Sequence, residues 1–195
     1  LTFIASKPLH HEALAGFKLM DSLIEPNIEE LKLSVFANEK FVDKWIKEYP
    51  KKDVERIGLF VSQKSEDRAL SQTKWEEIAS YLSKEYEVFV YSNDIRDFEY
   101  AWHLPNGFIF PKTPTIQDLI ASMTSLDYVI CTDSAPLHFC SALSIPVVGL
   151  FENRIEKLTR WHPLNTKYEL VYNARHIDSI NTRQIIDAFY RLKNK

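Results

Sequence analysis

The sequence predicts an α/β fold, a parallel sheet covered by helices on both faces, on three observations. Short runs rich in β-branched and aromatic residues recur from Arg56 onward. Helical stretches alternate with them. The runs are almost continuously apolar, as strands buried on both faces are, rather than alternating between apolar and polar. Together these describe a Rossmann-like doubly wound sheet, whose ligand belongs beyond the carboxyl ends of the strands.

The elements follow in order. Residues 10–24 carry Leu14, Phe17, Leu19, Leu23 and Ile24 at helical spacing, and Pro26 ends the pattern. Residues 31–36 alternate as a short strand does. Asn38 then caps a helix over 39–49, with Phe41, Val42, Trp45 and Ile46 assigned to its inner face. Pro50-Lys51-Lys52-Asp53 marks a domain edge. Residues 1–50 are therefore expected to be the remnant of a preceding domain plus a linker, and 51–195 the sheet domain. Within it, strands are expected over 57–62, 87–92, 107–110, 128–132, 147–151 and 168–172. Helices are expected over 73–84, 95–103, 116–125, 136–144 and 182–193, the last of them able to pack back on the preceding domain. The chain opens at Leu1 on a strand-like scrap, Thr2-Phe3-Ile4-Ala5, and reads as a piece of something longer.

Composition narrows the function classes. The chain of 195 residues is 45% hydrophobic and 26% charged, ordinary values for a globular protein. A net charge of -3 and a pI near 6.1 leave no electrostatic footprint for nucleic acid. No apolar run approaches the roughly 20 residues of a membrane span, and no signal peptide is recognisable. A cytoplasmic location is expected, with peripheral contact at the inner membrane face left open. Cys131 and Cys140, in apolar surroundings without paired spacing or a histidine cluster, read as buried free thiols rather than a disulfide or metal site. Neither metal nor cofactor is expected. Gly16, Gly58, Gly107 and Gly149 are the whole glycine supply, sparse for a phosphate-cradling loop.

The densest chemistry lies between Cys131 and Phe151. A buried strand delivers the chain to a polar tip, Asp133-Ser134, and Pro136 follows where the first turn of a helix tolerates it. First-turn amides and the positive end of the helix dipole suit a phosphate, Ser134 adds a hydroxyl, and His138 lies one turn further in. The same residues also suit a plain helix cap and a half-buried histidine.

Asp133-Ser134-Ala135-Pro136-Leu137-His138, continuing through Ser141-Ala142-Leu143 to Pro146-Val147-Val148-Gly149-Leu150-Phe151, resembles the heptosyltransferase family, the family-nine glycosyltransferases. Thr73-Lys74-Trp75-Glu76 resembles the family's Lys-x-Trp-Pro, and Pro111-Lys112-Thr113 with the helix after it resembles the turn before the Asp-Ser strand. His11-Glu12 and 14–24 resemble the closing helix of the family's N-terminal domain. The likeness runs from about His10 to Leu192. It implies the C-terminal, donor-binding half of a two-domain GT-B architecture, taking a nucleotide sugar, usually ADP-linked such as ADP-heptose. The acceptor it implies is a lipid-linked saccharide of the lipopolysaccharide or lipooligosaccharide core. It places Asp133, Ser134, Ala135, Pro136 and His138 against sugar and diphosphate, Thr113 in the nucleoside pocket, and Ser62 to Thr73 and Lys74 in a loop approaching the phosphates. The reaction implied is inverting transfer, with the base supplied by the N-terminal domain, so this chain alone is expected to bind donor without catalysing.

Three positions depart from that pattern. Ala135 replaces glycine, putting a methyl group where backbone would approach phosphate. Thr73 stands where the family has lysine, leaving Lys74, Lys64 or Arg68 as substitutes. Glu152 replaces the glycine after Phe151, bringing a carboxylate near the diphosphate. These keep open a degenerate, non-catalytic binding module, while shared paired-Rossmann architecture and a helix that caps a diphosphate keep open a nucleotide-sugar epimerase-like enzyme.

The remaining features have structural readings. Trp45, Trp75 and Trp102 fall on apolar helix faces and read as core. Trp161-His162-Pro163 reads as a loop near the domain cleft. Arg154, Lys157, Arg160, Lys167 and Arg175 interleave with Glu152, Glu156 and Glu169 as a solvated face. Glu29-Glu30, Glu66-Asp67 and Glu76-Glu77 read as exposed surface.

Overall fold

The computed structural model describes residues 11–14, 30–62, 68–92, 108–109, 111–172 and 175–195. Six strands form one sheet: β1 Arg56–Phe60, β2 Glu87–Tyr91, β3 Phe108–Ile109, β4 Tyr128–Thr132, β5 Val147–Leu150 and β6 Tyr168–Val171. Their order is β3-β2-β1-β4-β5-β6, with every pair parallel. This is the doubly wound order, and its switch point lies between β1 and β4. The helices are α1 Glu39–Glu48, α2 Gln72–Leu82, α3 Ile116–Met123, α4 Ala135–Leu143, α5 Ile155–Trp161 and α6 Thr182–Lys193.

The strands are buried on both faces, and successive side chains feed two separate cores. Ile57, Leu59, Val88, Val90, Ile130, Val148 and Leu150 meet Trp75 and Ile78 of α2 and Ile185 and Phe189 of α6. Phe60, Phe89, Tyr91, Val129, Cys131 and Val147 meet Trp45 of α1, Met123 of α3, and Leu137 and Cys140 of α4. A Cβ at Gly58 would stand 2.6 Å from Leu126 Cδ1, so the Leu126 side chain would have to shift to admit one. Both cysteines are buried and free.

Local signals explain the helix ends. Asn38 caps α1 by accepting from the Lys40 amide. Thr115 with Asp118 and Asn181 with Gln184 form capping boxes on α3 and α6. Ser144 takes the left-handed conformation, φ 58°, that turns α4 into β5.

Three features differ from the sequence expectation. Residues 31–38 form no strand, although exposure still alternates along 31–36. Ile46 is 53% exposed, because consecutive helical residues point about 100° apart and Trp45 takes the inward position. Residues 155–161, read as part of a charged segment and loop, form α5, whose last carbonyls accept from His162 Nδ1 at 3.1 Å. The helix expected over 95–103, with Trp102, lies outside the described residues, as does most of the 10–24 helix. Glu12–Leu14 form a 3-10 turn. No helix among the described residues is long and apolar enough to cross a membrane.

Candidate functional site

A recess of about 450 Å³ opens beyond the carboxyl ends of β2, β1 and β4, at the switch point. Phe60 and Tyr91, which end β1 and β2, stack in parallel with centroids 4.3 Å apart and contribute one wall. Ile116 and Leu119 of α3 and Phe139 of α4 add apolar surface, leaving Ile116 54% exposed. Ser62, Thr113, Arg68, Ser134, Ala135 and Pro136 supply the remaining lining. The recess is thus apolar at one end and polar with a cation at the other.

The polar end is the start of α4. Ser134 is the N-cap residue, yet its hydroxyl donates to Thr132 O at 3.0 Å and does not cap the helix. Pro136 has no amide hydrogen, and the Leu137 amide bonds Ser134 O at 3.1 Å. The Ser134 and Ala135 amides take no backbone acceptor among the described residues. They form a narrower donor set than a full first turn, with Arg68 beside it. Arg68 Nη1 donates to Asp133 O at 3.3 Å, which holds the guanidinium over the tip.

Asp133 is 8% exposed, and its carboxylate makes no hydrogen bond among the described residues. Burial raises its pKa above the ordinary carboxylate value, against the pull of Lys157, Arg68 and His138. Glu152, the carboxylate after β5, is already paired with Lys157 at 2.7 Å and lies 3.7 Å from Arg154. His138 faces Trp161 of α5, centroids 5.7 Å apart, and burial lowers its pKa despite Asp133. Among the described residues, no three His, Cys, Asp or Glu side chains are grouped to hold a metal ion.

Of the residues selected from sequence, the recess gathers Ser62, Thr113, Ser134, Ala135 and Pro136. Asp133 and His138 belong to the same tip but are not in the lining, and His138 faces Trp161 of α5. Thr73 and Lys74 are not in the lining. Thr73 is exposed on α2, and the Lys74 ammonium is held by the carbonyls of Asp178 and, at 3.1 Å, Ile180. Arg68, named from sequence only as a substitute, is the cation present in the recess, whereas Lys64 lies outside the described residues. Phe60, Tyr91, Ile116, Leu119 and Phe139 were not selected. The only sequence signal for the first two is their place near the carboxyl ends of the expected strands 57–62 and 87–92, on the ligand side of the sheet.

The segment 11–14 docks on α5. His11 Nδ1 accepts from the Ala13 amide at 3.1 Å, so its proton sits on Nε2, which donates to His162 O at 2.9 Å. Glu12 pairs with Arg160. Burial lowers the His11 pKa, aided by His162 and His138 and opposed by the His162 carbonyl and Glu12. A depressed histidine value means the docked state favours neutral imidazole. Its contribution is complete above about pH 6.5 and is lost as pH falls below that. The protection factor of the Ala13 amide, its exchange rate corrected for the intrinsic pH dependence, should fall between pH 7 and pH 5, and His11→Gln should flatten that fall.

The family model for glycosyltransferase family 9 (heptosyltransferase) matches residues 33–186. The fold is also similar to three solved structures. A family 9 glycosyltransferase from Veillonella parvula DSM 2008 superposes with a TM-score of 0.80 at 15% identity, over 94% of this chain and 60% of that one. ADP-heptose lps heptosyltransferase II from E. coli gives 0.69 at 15% identity, over 88% and 56%. E. coli heptosyltransferase WaaC with ADP gives 0.68 at 12% identity, over 94% and 57%. The chain therefore spans little more than half the length of the proteins it resembles. No curated protein matches its sequence.

Proposed function

Because the chain belongs to glycosyltransferase family 9, the heptosyltransferases, we propose that it is the donor-binding half of such an enzyme, taking an ADP-linked sugar such as ADP-heptose. The observation that carries this reading is the recess at the β1/β4 switch point, with aromatic and aliphatic walls at one end and the uncapped start of α4 beside Arg68 at the other. A nucleoside suits the first end. A diphosphate suits the second, where the amides of Ser134 and Ala135 and the Arg68 guanidinium offer donors and positive charge. Asp133, with no protein donor on its carboxylate, is placed to accept from sugar hydroxyls.

In the complete protein this half would fix the leaving diphosphate during inverting transfer to a lipid-linked saccharide acceptor, while the other half would contribute acceptor and base. Such an enzyme would work in the cytoplasm, at the inner face of the membrane. The Ala135 methyl and the short donor set also suit a module that has lost donor binding.

Titration of the chain with ADP, UDP, GDP and CMP tests the reading. Saturable binding selective for ADP, weakened in Ser134→Pro, is expected. Selectivity for UDP favours an epimerase-like site, and no binding at millimolar nucleotide leaves the degenerate module.

A further inference from the structure

Among the described helices, α5 alone has no buried residue; its N-cap residue Arg154 makes no side-chain cap, and only Leu158 and Trp161 pack on the core. The chain on either side of it is fixed. Before it, the Phe151 amide donates to Val171 O at 3.0 Å, and after it the Leu164 amide donates to Ser141 Oγ of α4 at 3.0 Å. Between those two points α5 can shift without disturbing the sheet, and an element with so few buried contacts opens at low cost.

Two sets of contacts converge on this short helix. Toward the Asp133-Ser134 tip, Lys157 pairs with Glu152 at 2.7 Å and its charge acts on Asp133, while Trp161 faces His138. Toward the segment 11–14, Arg160 Nε donates to Glu12 Oε2 at 2.8 Å, and His162 O accepts from His11 Nε2. The His11 and His162 rings meet nearly at right angles, centroids 4.6 Å apart. His162 is itself tied to α5 through the Leu158 and Thr159 carbonyls, so the acceptor that His11 uses depends on α5 being formed. Lys157, Arg160 and Trp161 are three and four positions apart, neighbours on a helix surface. One element therefore serves both the tip and the segment 11–14.

An anion at the start of α4 shares the field at Asp133, attracted by Lys157 and repelled by Glu152. Displacing α5 would carry Lys157 away and bare the Glu152 carboxylate, which is 8% exposed. The anion thus binds better when α5 is seated, and a ligand with that preference shifts the population toward the seated state. We propose that α5 is a strap coupling occupancy of the recess to the docking of residues 11–14, so that a diphosphate at α4 tightens the seat of His11 and Glu12. The inference rests on the donor reading above, in which that anion is the donor's diphosphate. Coupling is reciprocal, so release of 11–14 weakens donor binding by the factor by which donor tightens the segment.

The test reads both directions on the full chain. The Ala13 and Leu14 amides donate to His11 Nδ1 and O, and saturating ADP should raise their hydrogen-exchange protection factors by about fivefold. The Asn194 amide, at the fraying end of α6, should not change. Glu12→Gln should lose about fivefold in ADP affinity, although Glu12 is not in the recess lining. Lys157→Met should abolish the rise at Ala13, and Lys157→Arg, which keeps the charge, should restore it. Both side chains are partly exposed, so neither substitution opens a buried gap, and thermal melting of the unliganded variants checks the fold. Unchanged protection at Ala13 with ADP bound, or Glu12→Gln binding ADP as tightly as wild type, overturns the strap. An equal rise at Asn194 does so too, because it marks general stabilisation by ligand. No ADP binding by wild type defeats the donor reading, and the strap falls with it.

Discussion

Glu87→Gln should cost the fold about 3 kcal/mol, lowering Tm by about 10 °C, although the residue is far from the recess and changes by one atom. Glu87 begins β2 and Arg56 begins β1, and their side chains, 5% and 2% exposed, meet at 2.5 Å. Arg56 also donates to the carbonyls of Tyr49 and Pro50, at 3.0 and 2.6 Å, and its guanidinium lies 5.1 Å from the Phe89 ring centroid. The pair therefore ties the end of α1 to the sheet. Removing one partner strands a buried guanidinium, which costs more than the pair itself contributes.

Replacing both together, Arg56→Met with Glu87→Leu, should recover much of the loss. Burial pushes the Glu87 carboxyl up, but the hydrogen bonds from Arg56 and Lys52 outweigh it and hold the group below its ordinary value. A lowered carboxylate contributes stability above the unfolded value, about pH 4.3, and loses it as pH falls through the folded one. Urea melts of wild type and variant should accordingly converge in acid.

The sheet was legible because its strands are apolar on both faces and the helices between them are periodic. The Asp133 tip was legible because strand, polar pair and Pro136 fall in one short run. What was not legible depended on packing partners distant in sequence. α5 spans seven residues and has no side-chain cap, and only Leu158 and Trp161 pack on the core while Ile155 stays 65% exposed. Nothing local distinguishes such a stretch from a charged loop. Residues 31–36 show the converse, since alternation creates two faces but only a neighbouring strand makes a ladder. Phe60 and Tyr91 are apolar strand residues like any others until the strand order places them on the wall of the recess.

Which cation reaches the recess depends on helix phase, and its test carries the larger expected functional effect. Lys74 and Arg68 lie six positions apart on the approach to α2, and family resemblance favours the one nearer Trp75. In the fold, α2 buries Trp75, Ile78, Ala79 and Leu82, and this phase swings Lys74 onto the turn at 178–180. Arg68 is left over the Asp133 carbonyl at the recess. A guanidinium on a diphosphate is worth about 1.5–3 kcal/mol, so Arg68→Ala should weaken ADP binding by roughly 10- to 150-fold. The unliganded melting temperature should barely change. Lys74→Ala should do the reverse, loosening the contact between α2 and the 177–180 turn while ADP affinity stays within about twofold, because its ammonium serves two backbone carbonyls and Asp178. Raising salt should erode the wild-type affinity for ADP more steeply than that of Arg68→Ala, since the variant has lost the charge that salt screens. If Lys74→Ala abolished ADP binding and Arg68→Ala did not, the diphosphate would lie toward α2 rather than over the start of α4.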